Sequence, residues 1–241
     1  MTVPANTSAV PQASLWEDFI DIFTSPSQVF RRRESSGFGL QLLILTVLFA
    51  ILVLGTKSLV QPVIDAEMSR QMAHVLKIHP EITQEQISKQ MAFGEKLGPI
   101  FIILVIPISA ILTGLVLWMV GKIFESTQTP RAAMMVATYA FFPKLLATVA
   151  AAVIAYFSSS DRLNGPTRLS VGLGALLDPD KTSPVLLALV ARIDVFTIWE
   201  TILLAIGLQI TGKVSKTNSY IAAALVWLIG AIPAVLGALR S

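Results

Sequence analysis

Five long apolar runs alternate with polar links along this chain, and that alternation predicts its architecture. The first run, Phe38 to Val60, has an uncharged core, LQLLILTVLFAILVLG. About 20 apolar residues in a helix cross the ~30 Å hydrocarbon layer of a bilayer. Four further runs reach that length: Pro99 to Ile123, Ala132 to Phe157, Pro184 to Thr211 and Tyr220 to Leu239. The pattern predicts an all-α, polytopic integral membrane bundle of about five transmembrane helices, with interfacial amphipathic helices. Residues 1–14 read as a disordered tail, 15–37 as an amphipathic segment and 38–241 as the membrane domain.

Small residues and prolines give these spans internal detail. In span two, Gly114 and Gly121 follow Ala110 at intervals that make a seam for close helix contact. Span three repeats small residues at Ala147, Ala151 and Ala155, which predicts a central, tightly packed helix. Span five has a small face at Gly230, Ala234 and Ala238. Pro107, Pro143 and Pro233 lie within spans two, three and five, where the missing N–H and the ring predict kinks. Span four is longer than a crossing needs, so it tilts or begins as a surface helix.

Polar segments carry a different period. Leu15 to Phe30 places Leu15, Trp16, Phe19, Ile22 and Phe23 on one side and Glu17, Asp18 and Asp21 on the other. Ser14 and Glu17 form a capping-box pattern. This segment suits a helix at the interface, anchored by Trp16, or one packed on the ends of the spans. Pro62 to Gly98 predicts two amphipathic helices joined at His79-Pro80, the second opening on Thr83 and Gln86, another capping box. The piece LSVGLGALL, in the link before span four, is too short to cross and reads as an interfacial loop; its glycines lack the setting of a phosphate loop.

Composition agrees with the runs: 54% of the 241 residues are hydrophobic and 14% charged. A soluble domain carries about 25% charged residues. The net charge of +3 gives no reason to expect a nucleic-acid partner. The absence of cysteine excludes disulfides, thiolate metal sites and cysteine nucleophiles. His74 and His79 are five apart, a poor fit to two metal ligands on one helix face, so no metal, cofactor or catalytic residue is expected. Arg31, Arg32 and Arg33 precede span one, and the links after spans two and four are short and basic. That distribution puts the N-terminus in the cytoplasm and the C-terminus outside. The three arginines set orientation, with anionic lipid heads as a second use.

Charged residues inside the runs are the candidate chemistry. An ionised side chain near the bilayer centre costs about 2.5–3.5 kcal/mol on insertion scales and normally finds a partner in the bundle. Lys144 is about 18 Å from the start of span three, and Glu200 about 16–17 Å from the end of span four, at 1.5 Å per residue. The two spans run in opposite directions, so the charges match in height and are expected to pair. Arg192, Asp194 and Thr197 form a polar cluster about 9 Å nearer the outer boundary at the same rise. The pair either locks the bundle or serves a proton, cation or solute path.

The order of parts resembles a known family, the small five-span Ypt-interacting protein (Yip) family, in its prokaryotic branch. The carriers are Trp16, Phe19, Pro26 and Phe30; Tyr139 and Pro143; and Asp194, Phe196, Trp199, Leu203, Ile206, Gly207, Leu208 and Gly212. The resemblance implies a cytoplasmic N-terminus, an exterior C-terminus and no catalysis, and in this branch a bacterial plasma membrane. Eukaryotic relatives are associated with Rab-type GTPases and vesicle traffic. This chain lacks their long N-terminal region, so a GTPase partner does not carry over. The expectation is a non-enzymatic protein of membrane organisation or scaffolding, with lipids, other membrane proteins or a second copy as partners. The rival is a small-solute or ion transporter using Lys144, Glu200 and Asp194.

Overall fold

The computed structural model describes residues 14–78, 83–158, 166–179 and 181–239. The tail over residues 1–13, the His79–Pro80 joint and the side chain of His74 lie outside the described residues. Among the described residues every regular element is helical, and five helical stretches are long and apolar enough to cross a membrane: Gly39–Ser69, Ile100–Ile123, Pro130–Phe157, Val195–Gly212 and Lys216–Ala238.

Helices α1 (Leu15–Thr24) and α2 (Pro26–Arg33) form an N-terminal hairpin. Ser14 caps α1 through a complete capping box with Glu17, and Pro26 stands in the first turn of α2, where its missing N–H costs nothing. The hairpin packs along the bundle, with α2 lying on the fourth span. Ile22, Val29 and Phe30 are wholly buried there.

Spans one and two are parts of two 40-residue helices, α3 (Gly39–Ile78) and α4 (Gln84–Ile123). At 1.5 Å per residue each is about 60 Å long, twice the hydrocarbon thickness. The sequence pattern predicted separate amphipathic helices after Pro62. Instead α3 passes through Pro62 without a break, and Thr83 and Gln86 cap one helix that runs on into span two. The two extensions pair with each other, Met68 lying beside Gly94. Pro107 also lies within unbroken α4.

Span three is two helices. α5 (Pro130–Ala140) ends at Phe141 and Phe142, and α6 (Pro143–Phe157) restarts on Pro143. Pro143 cannot donate to the preceding turn, so the ladder stops there. Beyond its first two residues α5 is buried except at the half-buried Met134, whereas α6 is mostly half-buried or exposed. The central, tightly packed helix expected over the whole span is therefore only its first half. Ala147 and Ala151 line a cavity on the side where α6 meets α3, and Ala155 is buried.

Span four begins as a short helix, α7 (Pro184–Val190), turns at Ala191 to Asp194, and crosses as α8 (Val195–Gly212). Span five breaks at Gly230 and Ala231 between α9 (Lys216–Ile229) and α10 (Ile232–Ala238), with Pro233 in the first turn of α10. That break resets the helix face. Ala222, Ala223 and Val226 are buried, while Ala234 of the expected small face is exposed.

Close backbone approach builds the centre. A Cβ on Gly114 would lie 2.7 Å from the Cα of Met134, so glycine lets α4 and α5 touch. A Cβ on Gly207 would enter the methyl groups of Val136, joining α8 to α5. Gly121 meets Leu208 and Ser126 at 3.2 Å by the same measure.

Candidate functional site

The site sits where α6 and α8 face each other. Lys144 Nζ lies 3.0 Å from Glu200 Oε2, and it also donates to Thr197 Oγ1 at 3.0 Å. Thr197 in turn donates its hydroxyl hydrogen to Asp194 Oδ2 at 2.9 Å. Glu200, Lys144, Thr197 and Asp194 thus form one connected polar chain along the inside of α8. Local sequence explains the placing. Lys144 follows Pro143 in the first turn of α6, so the helix break brings its ammonium into the bundle. Thr197 and Glu200 are three apart and share one face of α8.

Asp194 is the N-cap of α8. Its Oδ1 accepts from the backbone N–H of Phe196 at 2.8 Å and of Thr197 at 3.0 Å. A carboxylate there satisfies two otherwise unpaired N–H groups and meets the positive end of the helix dipole. Arg192 makes its hydrogen bond outside this chain, donating to the Trp227 carbonyl at 3.2 Å and stacking its guanidinium over the Trp227 ring at 5.6 Å. It stays within electrostatic reach of Glu200 and Asp194, so it links the cluster it was expected to form with Asp194 and Thr197 to span five.

The glycine-rich loop closes over this region. Leu173 N–H donates to the Ile193 carbonyl at 3.0 Å. A Cβ on Gly172 would lie 2.5 Å from the Cβ of Asp194, and one on Gly174 would lie 2.7 Å from the Cα of Ala191. These glycines serve close approach to the α7–α8 turn.

A cavity of about 470 Å³ reaches Lys144 and Asp194 from the side of α3 and α4. Its walls are Phe49, Val53, Ile106, Ala147, Ala151 and Phe196, roofed by Leu169 to Val171. Apolar side chains dominate the lining, with Thr56, Thr148, Ser170, Lys144 and Asp194 as its polar members.

A second buried polar cluster was not read from the sequence. Asp18 has no exposed surface. Its carboxylate accepts from Arg32 Nε at 2.6 Å, Arg33 Nε at 2.5 Å and the Tyr139 hydroxyl at 2.8 Å. Arg32 also donates to Asp21 at 2.6 Å. Two carboxylates and two guanidinium groups cancel, which makes burial tolerable. The sequence pattern puts Asp18 on the polar side of α1; in the fold that side faces inward, and Trp16 and Ile20 lie outward at 68% and 67% exposure. Arg32 and Arg33 are internal counterions rather than free surface charges. Phe19 stacks on Phe142 at 4.7 Å and Phe23 meets Trp199 edge-on at 5.1 Å, so α1 is fastened to both the span-three break and α8. The available signal was Tyr139 directly before the break, a phenol that must find a partner when buried.

The fold supplies five crossings, a broken third span and a hairpin docked on the fourth. Compared with protein families, residues 20–237 match the Yip1 domain model. The chain belongs to the Yip1 domain family. The match takes in the positions noted above from Pro26 to Gly212 and the Lys144–Glu200 chain; Asp18 lies just before its start. With its five apolar helices this Yip1 protein is an integral membrane protein. Comparison with curated proteins and with solved structures finds no match.

Proposed function

We propose that this Yip1 protein performs no catalysis and organises the membrane as a scaffold for other membrane proteins. The observation that carries this reading is the closed polar chain from Glu200 to Asp194. Each carboxylate in it has a partner within the chain, and the cavity beside it offers apolar walls rather than a ladder of polar groups for an ion or solute. A pair held in this way locks α6 to α8. The paired extensions of α3 and α4, beyond a crossing length, supply a rigid arm for partner proteins.

The basic end of the bundle, with Arg31, Lys122, Arg131 and Lys213, faces the cytoplasm of a bacterial plasma membrane in this reading, and the C-terminus lies outside. The chain has no native cysteine, so single cysteines at Ser35 and Lys181 report sidedness directly. Ser35→Cys is expected to resist an impermeant thiol reagent in intact cells, and Lys181→Cys, at an exposed position of the link before span four, to react. The reverse pattern contradicts the orientation. Reconstituted protein is expected to give no ion or small-solute flux above empty liposomes. Flux that Glu200→Gln abolishes would replace the scaffold with a transporter.

A further inference from the structure

Three consecutive arginines end α2 ahead of the first span, and the structure gives them different uses. Arg32 and Arg33 are held by Asp18 and Asp21. Arg31 is exposed and makes no ion pair with any described residue. With Gln209, Ile210, Lys213 and Val214 it lines a cleft of about 380 Å³ where α8 leaves the bundle. That cleft straddles Gly212, the last residue of a crossing helix, and so sits at the level of lipid phosphates.

Lys213 is held there at a cost. Its φ of 57° and ψ of 25° are left-handed, a conformation glycine adopts more easily. The adjoining Gly212 is already committed, because a Cβ on it would enter the Ser126 hydroxyl. The strained position therefore falls to a lysine, whose ammonium caps the Ile210 carbonyl at 2.8 Å and approaches Glu34 at 3.2 Å. Retained strain of this kind accompanies binding sites. Arg31 and Lys213 against Glu34 leave one net positive charge, which matches a phosphodiester monoanion. The guanidinium supplies a planar fork for two phosphate oxygens, the Gln209 amide adds a donor, and the half-buried Ile210 gives an apolar border, with Val214 closing the cleft from the core side.

We propose that Arg31, Lys213 and Gln209 bind the phosphodiester headgroup of an anionic phospholipid in the leaflet on the basic side. This inference rests on the membrane reading alone and survives if the scaffold reading fails.

The test is lipid binding to the full chain in detergent, measured by native mass spectrometry and by titration. Its probes are phosphatidylglycerol, phosphatidylcholine and inorganic phosphate. Wild-type protein is expected to prefer phosphatidylglycerol over both others by at least tenfold. Arg31→Gln is expected to lose most of that preference. Lys213→Gly should weaken phosphatidylglycerol binding while keeping or raising the lipid-free melting temperature, because glycine relieves the left-handed backbone. Arg131→Gln, at the same end but outside the cleft, should bind as wild type does. Equal retention of phosphatidylglycerol by all variants overturns the proposal. So does inorganic phosphate binding as tightly as the lipid, or equal affinity for the zwitterionic lipid.

Discussion

Tyr139 donates its phenolic hydrogen to the fully buried carboxylate of Asp18 at 2.8 Å, across 121 residues of chain. That bond joins the break in span three to the N-terminal hairpin, and Arg32 and Arg33 supply the countercharge. Asp18→Asn leaves two half-buried guanidinium groups undercompensated, so its cost falls at or below the low end of the range for a fully buried network. Breaking a buried charge network from one side costs about 3–5 kcal/mol. Tyr139→Phe removes one donor from a carboxylate that keeps two others, and should cost about 1–2 kcal/mol, toward the low end for a hydrogen bond to a charged group. Thermal unfolding in detergent and tryptic cleavage after Arg31 to Arg33 measure both. The asparagine variant is expected to melt lower and be cut faster. If Tyr139→Phe proves the worse of the two, the hairpin is not held by charge.

Gly207 offers a test of the centre. Its missing Cβ is replaced in space by the methyl groups of Val136. Gly207→Ala should destabilise by about 1–3 kcal/mol, the usual range for overpacking. Adding Val136→Ala should recover much of that loss, because the clash is with that side chain. Gly39→Ala, with nothing within 4 Å of the new carbon, should be neutral. Melting temperatures of these proteins and of Val136→Ala alone decide it, and additive losses in the double variant would count against direct contact.

Asp194 is given a capping role, and hydrogen exchange reads it. Asp194→Ala removes the acceptor for the Phe196 and Thr197 amides and should cost about 1 kcal/mol, within the 0.5–2 range for lost caps. Exchange at the start of α8 should accelerate while its middle stays protected. Asp194→Asn, which can still accept, should lie close to wild type. Uniform acceleration along α8 would point to global loosening instead.

The bundle was legible because lipid leaves the backbone few options: long uncharged runs must be helical. The pairing of Lys144 with Glu200 was legible because charges at matching depth on antiparallel spans have a reason to meet. Helix continuity was harder. Pro62 removes one hydrogen bond from α3, and the paired extension with α4 outweighs that loss. The Asp18 cluster was hidden because α1 reads as an ordinary amphipathic helix. Only the fold shows that Arg32 and Arg33 return antiparallel to it, so that its acidic face becomes an inner one. Of the side the periodicity read as apolar, Phe19, Ile22 and Phe23 pack inward and Trp16, read as an interfacial anchor, faces out beside Ile20.

The central claim is that Lys144 and Glu200 are energetically coupled within the membrane. A double-mutant cycle with Lys144→Ala, Glu200→Ala and both together, followed by unfolding in detergent, measures that coupling directly. Each single change strands one charge, so the double should be less destabilised than the sum of the singles by about 1–3 kcal/mol, the upper part of the range for contacting residues. Single losses that simply add would contradict the account.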